Sequence, residues 1–196
     1  MRKGEQTRAA ILDAALELAS RDGLEGLTIG SLAERMKMSK SGVFAHFGAR
    51  EELQVEVVRE YHRRFEAEVF RPSLAEPRGL PRLAAMIARW TDKRIHEVQT
   101  GCIFISGAVE YDDRPASVVR EQLLQSIAAW RGALARAIEQ ARDEGHLRQD
   151  TDAPTLLFEI YSLMLGLHHD ARFLHLDDAP AIADRALKRL IESYQR

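Results

Sequence analysis

The sequence predicts an all-α fold of about nine helices, a small three-helix domain joined to a larger helical body, and three observations carry that prediction. Apolar residues recur at helical spacing through most of the 196 residues. The periodic segments are punctuated by hydroxyl or carboxylate caps, glycines and prolines where helices start and stop. No stretch alternates with the period of two that a half-buried strand requires, and no internal repeat or low-complexity segment breaks the pattern.

Residues 7–22 form the first helix, where Leu12, Ala15, Leu16 and Ala19 make an i, i+3, i+4, i+7 stripe that Gly23 stops. Thr28 caps the second, with Leu27 and Leu32 in staple positions; eleven residues later Ser39 caps the third, with Met38 and Val43 in the same relation. The third helix runs to Phe47, its apolar residues Val43, Phe44 and Phe47 expected against the supporting helices, and Gly48 breaks it. Glu51 and Glu52 open a long helix reaching about Phe70, along which Leu53, Val57, Tyr61 and Phe65 fall four apart. Pro72, Pro77, Gly79 and Pro81 end that segment. Leu83, Ile87, Trp90, Thr91 and Ile95 mark the next helix, interrupted at Thr100-Gly101, and a shorter one holds Ile103, Phe104 and Ile105. After the Asp112-Asp113-Arg114-Pro115 turn, Pro115 is placed at the N1 position of the longest helix, whose stripe Val119, Leu123, Ile127, Trp130, Leu134, Ile138 and Ala141 runs to Gly145. Asp152 with Pro154, and Asp178 with Pro180, open the last two helices, which reach about Leu176 and Tyr194.

Composition narrows the function classes. A hydrophobic content of 45% supports a substantial core, and a net charge of −2 argues against a wholly basic coat. Residues 1–50 carry +2 and the remainder −4, so any attraction to an anionic partner has to come from local placement: Arg2, Lys3 and Arg8 at the first helix, Lys37, Lys40 and Arg50 around the third. The single cysteine, Cys102, excludes an internal disulfide and fits a reducing cytoplasm. Asp13 and Glu17 interrupt what would otherwise resemble a signal segment, and no apolar run is long enough to cross a bilayer, so a soluble cytoplasmic protein without membrane association is expected.

The stretch from Thr28 to Phe47 organises the functional reading. Two short capped helices meet across Lys37-Met38, which leaves the amides and small side chains of Ser39, Lys40, Ser41 and Gly42 at an electropositive helix end suited to phosphate. In helix-turn-helix proteins such a second helix enters the major groove; a plain helical hairpin is the competing reading. The run resembles the DNA-binding domain of the tetracycline-repressor (TetR) family in Ile29, Leu32 and Ala33, Ser39-Lys40, an aromatic at Phe44, His46-Phe47 and Glu51-Glu52-Leu53. The resemblance implies a DNA-binding domain over residues 1–50 and an effector-binding and dimerisation domain over 51–196. By the same resemblance Ser39, Lys40, Ser41 and His46 face DNA, Gly42 lies in the recognition helix, Thr28 and Arg50 hold phosphates, and Phe44 and Phe47 fix the helix. Ser41-Gly42 stands where the family usually has Gly followed by a small polar residue. Phe44 replaces the usual tyrosine and loses its hydroxyl, and Ala49-Arg50 replaces Ser-Lys, so Arg50 inherits the phosphate role while Ala49 caps poorly.

The last two helices are apolar over wide arcs, Leu156, Leu157, Ile160, Tyr161, Leu163, Met164 and Leu167, then Ile182, Ala186, Leu187, Leu190 and Ile191. One face can be buried in the subunit and the other against a twofold copy, giving a homodimer through a four-helix bundle; the alternative is a thick core without a dimer. The resemblance further implies an effector cavity, for which Met86, Trp90, Phe104, Trp130, Leu134, Phe158 and Met164 are candidate walls and Tyr111, His168 and Arg172 candidate polar anchors. Ordinary core packing explains each wall residue equally well. His168, Arg172 and His175 share a helix face, but an arginine between two histidines makes a poor cation site, and Asp112-Asp113 has no partners at calcium-binding spacing, so no metal or cofactor is expected. Cys102 reads as inert packing. No catalytic motif occurs, which leaves no catalytic residue to name.

The sequence thus predicts a homodimeric DNA-binding transcriptional regulator. It is expected to be a repressor that leaves a palindromic double-stranded operator when a small, largely apolar effector binds and the long fourth helix shifts. The rivals are a regulator of the same fold governed by a protein partner or by nothing, and an all-helical enzyme.

Overall fold

Nine α-helices of eight or more residues account for nearly all of the regular structure in a computed structural model that describes residues 3–96 and 101–195. They are α1 (Lys3–Asp22), α2 (Ile29–Met36), α3 (Lys40–Phe47), α4 (Arg50–Phe65), α5 (Leu80–His96), α6 (Ile103–Glu110), α7 (Val118–Asp143), α8 (Ala153–Arg172) and α9 (Ala179–Tyr194). The only β-type pairing among the described residues is an isolated bridge between Leu147 and Gln195. Arg2, Gln99 and Thr100 lie outside the described residues, as do the side chains of Lys3 and Ile95.

The helix ends follow the expected chemistry with informative exceptions. Gly23 stops α1 and Gly145 follows α7, both with positive φ, 82° and 73°. Pro154 and Pro180 sit in the first turns of α8 and α9. Pro115, however, does not open α7. Ser117 accepts a hydrogen bond from the Val119 amide at 3.2 Å, which moves the start to Val118 and leaves Pro115 in the preceding turn. α4 continues past Phe65 as a π-helical turn, Glu66–Phe70, and one α-helical turn, Arg71–Ser73. Pro72 explains the widening, since it has no amide to bond the Glu68 carbonyl and its ring crowds that position. α8 ends at Arg172, short of the expected Leu176.

Backbone contacts divide the chain into two compact units, Met1–Arg64 with Thr100–Ile127, and Phe65–Gln99 with Ala128–Arg196. In the first, Ile11, Ala15, Ala19, Leu24, Leu27, Leu32, Val43, Phe47, Leu53 and Val57 form a buried core from α1 to α4. α6 also belongs to this unit, because Gly107 lets it approach closely: a Cβ there would stand 3.0 Å from methyl groups of both Leu24 and Leu123. Tyr61 meets Phe104 edge-on at 4.8 Å, and its hydroxyl donates to the buried Cys102 sulfur at 3.4 Å. In the second unit, α8 and α9 pack as a pair with Leu156, Ile160, Met164 and Leu167 facing Ala179, Ala183 and Leu187 in the interior. Phe65 meets Trp130 edge-on at 4.9 Å there, with Met86, Trp90 and Leu134 also buried.

Candidate nucleic-acid interface

Two successive N-caps build the site. The Thr28 hydroxyl oxygen accepts from the Ser31 amide at 3.0 Å while Ser31 Oγ accepts from the Thr28 amide at 3.2 Å, a reciprocal capping box that starts α2. Lys37 then adopts a left-handed conformation, φ 53°, and its amide closes α2 on the Ala33 and Glu34 carbonyls. Ser39 accepts from the Gly42 amide at 3.1 Å and starts α3. The turn between the helices is therefore fixed from both sides, and the first turn of α3 is left open to solvent, with Ser39, Lys40 and Ser41 all exposed.

At 100° per residue the eight residues of α3 separate into two faces. Val43 and Phe47 are buried; Lys40, Ser41, Phe44 and Ala45 are exposed. Phe44, expected against the supporting helices, is instead 57% exposed, because Val43 and Phe47 are one full turn apart and already fill the inward stripe. With Ile29, the exposed α3 face bounds a shallow notch of about 410 Å³. Lys40 lies over Gly30: a Cβ on Gly30 would stand 3.5 Å from Lys40 Cε and 3.7 Å from Thr28 Oγ1, so a longer side chain would displace the lysine. Gly30 was not legible as a site residue, since its role appears only when α3 is folded back onto α2.

Other predicted contacts are placed differently. His46 is half-buried and lines a second groove with Arg8, Ala45, Phe47, Gly48, Glu52, Val55, Glu56, Arg59 and Val118, which shares Ala45 but none of Lys40, Ser41 and Phe44 with the first notch. Arg8 is committed within that groove, donating to Glu56 at 2.6 Å with its guanidinium 4.9 Å from the Phe47 ring centroid. Arg50, expected to hold a phosphate, donates to the Leu27 carbonyl at 3.0 Å and the Glu25 carbonyl at 2.5 Å, and so ties the start of α4 to the α1–α2 loop. Ala49 gives no side-chain cap, but Glu52 accepts from the Ala49 amide at 3.1 Å and compensates; the three-residue spacing to a glutamate was the available signal.

A cluster that sequence spacing did not reveal holds this loop. Glu25 accepts from the Tyr111 hydroxyl at 2.5 Å and from Arg114 at 2.8 Å, with Arg50 at 3.4 Å, while its own amide donates to Glu110 at 2.8 Å. Gln54 adds a bond to the Leu24 carbonyl at 2.6 Å. The hydrogen bond from Tyr111, followed by those from the arginines, holds the Glu25 carboxyl below its ordinary value against the opposing effect of burial. Burial and the same carboxylate push the Tyr111 hydroxyl well above the usual range. Tyr111, a candidate effector anchor, is thus committed to Glu25, and with Phe104 it belongs to the first compact unit. Among the other candidate cavity residues, Met86, Trp90, Trp130, Leu134 and Met164 are buried in the second unit and His168 is half-buried on α8.

Phe158 is not a buried wall. It stands 66% exposed on the outer face of α8, lining a groove of about 570 Å³ with Glu159, Ser162, Leu163, Ala186, Arg189, Leu190 and Ser193. The predicted interface residues divide accordingly. Leu156, Ile160, Leu167 and Leu187 are buried inside the subunit by the α8–α9 pairing, whereas Leu163, Ala186, Leu190 and Ile191 are half-exposed. No helix among the described residues is long and apolar enough to cross a membrane.

Residues 11–57 match the family model described as bacterial regulatory proteins, tetR family, and residues 79–187 match the tetracyclin repressor-like C-terminal domain. No curated protein sequence matches the chain. Solved structures of the same fold include a TetR-family transcriptional regulator from Cytophaga hutchinsonii, with a TM-score of 0.83, 17% identity and coverage of 100% of this chain and 98% of that one. A TetR transcriptional regulator from Chloroflexus aurantiacus gives 0.81 at 22% identity, with 98% and 96% covered. A regulator from Saccharomonospora viridis, solved in complex with choline, gives 0.77 at 18% identity, with 96% of each chain covered.

Proposed function

The chain belongs to the tetracycline-repressor (TetR) family of DNA-binding transcriptional regulators, and from that premise we propose that it is a homodimeric repressor released from a palindromic operator by a small effector. The observation that carries DNA contact is the outward face of α3, where Lys40 and Ser41 stand exposed beside a rigidly capped turn with no carboxylate lining their notch. Lys40 supplies a phosphate or base-edge contact, Ser39 and Ser41 short polar contacts, and Thr28 and Arg50 act mainly by fixing the backbone that presents them. A fluorescence anisotropy titration with duplexes from the chain's own upstream region tests this reading. Lys40→Ala is expected to weaken binding across sequences and to reduce the salt slope by about 1, with the dimer intact; unchanged affinity removes Lys40 from the interface.

The effector reading rests on the buried Met86, Trp90, Trp130, Leu134 and Met164. The buried Trp130 indole N–H has no hydrogen-bond acceptor among the described residues, so an apolar effector carrying one acceptor group suits it. The Saccharomonospora viridis protein of this fold holds a small organic molecule, which supports the class of partner and leaves its chemistry here to this chain's own residues. Effector binding would favour a dimer whose reading heads no longer match successive major grooves about 34 Å apart. Thermal shifts with hydrophobic acceptor-bearing compounds distinguish this from control by a protein partner.

A further inference from the structure

Resting on the DNA-reading role proposed above, we infer that the notch beside α3 is a subsite for the 5-methyl group of thymine, so that Phe44 reads one base pair in each half-site by apolar contact. The notch is bounded by Ile29 at the start of α2 and by Lys40, Ser41, Phe44 and Ala45 along one face of α3. Its accessible surface is almost wholly apolar, although the exposed polar residues Ser39, Lys40 and Ser41 stand at its edge. A phenyl ring left 57% exposed there gives up most of the burial that stabilises Phe47 one turn away, which is accounted for when an apolar partner covers it.

The charge around the notch identifies the occupant. Lys40 closes one side, its ammonium lying over Gly30 near the Thr28 hydroxyl, and no carboxylate lines the cavity. A partner that presents a small apolar group close to negative charge therefore fits, and a duplex does so wherever a thymine methyl projects into the major groove beneath flanking phosphates. Thymine alone among the four bases carries that methyl, and alanine and phenylalanine side chains are suited to contact it. Phe44 and Ala45 are neighbours on the exposed face, and Ile29 supplies the opposite wall.

The test uses the full chain and a duplex that it selects from a random-sequence library. Each thymine of that duplex is replaced singly by deoxyuridine, which removes the methyl and leaves base pairing unchanged. At one thymine per half-site the loss of the methyl is expected to weaken binding about fourfold, the equivalent of ~0.8 kcal/mol for one buried carbon. In Phe44→Ala, whose removed ring is surface-exposed, affinity for the thymine duplex should fall and the deoxyuridine penalty at that position should vanish; Phe44→Tyr should keep it. If every deoxyuridine is tolerated, or the penalty is unchanged in Phe44→Ala, the subsite is wrong while DNA binding stands. If no duplex is selected at all, the DNA-reading role itself fails and the subsite with it.

Discussion

Leu190→Glu is expected to sediment as a monomer and to lose about a hundredfold or more in operator affinity, because two linked half-site contacts become two independent ones. The outer face of α8 and α9 carries Phe158 and Ile182 exposed, with Leu163, Ala186 and Leu190 half-exposed around the groove of about 570 Å³. A twofold copy would cover that face, and a carboxylate at position 190 would then have to shed its water without a partner or stay protonated. Leu187 is the instructive contrast. It is only 5% exposed, facing into the subunit, so Leu187→Ala should leave a cavity and lower stability by ~2–5 kcal/mol while the dimer persists at low temperature. A Leu190→Glu protein that still sediments as a dimer would place the interface elsewhere, and a monomer that keeps full operator affinity would detach dimerisation from DNA binding.

That contrast marks where the amino-acid pattern stops being informative. Both faces of α8 and α9 are apolar, so periodicity announces that two surfaces need covering, yet it cannot say which of Leu187 and Leu190 turns inward. The difference is one of helix phase against a partner helix, fixed only when the pair packs. The same applies to Phe44. Apolar residues 43, 44 and 47 read as one patch, but the packing admits only the stripe through Val43 and Phe47. Local rules, by contrast, were fully legible: the caps at Thr28 and Ser39, the stop at Gly23 and the prolines of α8 and α9 depend on a few adjacent residues and appear where their chemistry requires. Pro115 failed because two local signals competed, a proline and a serine two residues on, and the hydroxyl cap prevailed.

The long-range cluster was beyond reach for a different reason. Glu25 and Tyr111 lie 86 residues apart, and each is unremarkable in its own segment: one in a glycine-flanked loop, the other at the end of a short helix. Arg50 illustrates the consequence. Its position beside the third helix suggests a phosphate ligand, but the folded loop offers it two carbonyls and a carboxylate at close range. A guanidinium with five donors in a rigid fork is well matched to that set.

Glu25→Ala is therefore expected to cost more than its surface location suggests, ~1–3 kcal/mol, through the orphaned Tyr111 hydroxyl. Tyr111 is 2% exposed and has Glu25 as its acceptor, so truncation leaves a buried donor without a partner. The carboxylate itself is about one-third exposed, which screens its pairing with Arg114 and Arg50 and puts the effect in the lower half of that range. The pH dependence has a definite sign. The folded-state value of Glu25 is depressed, so its stabilisation is complete above the ordinary carboxyl value and fades as the pH falls below it. Tyr111 is raised, so its contribution holds below the ordinary phenol value and is lost only as strong alkali ionises the folded form. Urea titrations at neutral and acidic pH should thus show the gap between wild type and Glu25→Ala narrowing in acid, and amide exchange should rise around residues 23–28. Asp22→Ala, three residues before Glu25, breaks only an exposed pair with the adjacent Arg21 and should change neither. Equal behaviour of the two variants would mean that the Glu25 cluster is only another solvated ion pair. A selective loss would show that the loop leading into the Thr28 cap, and through it the orientation of α2 and α3, is held in place from α6.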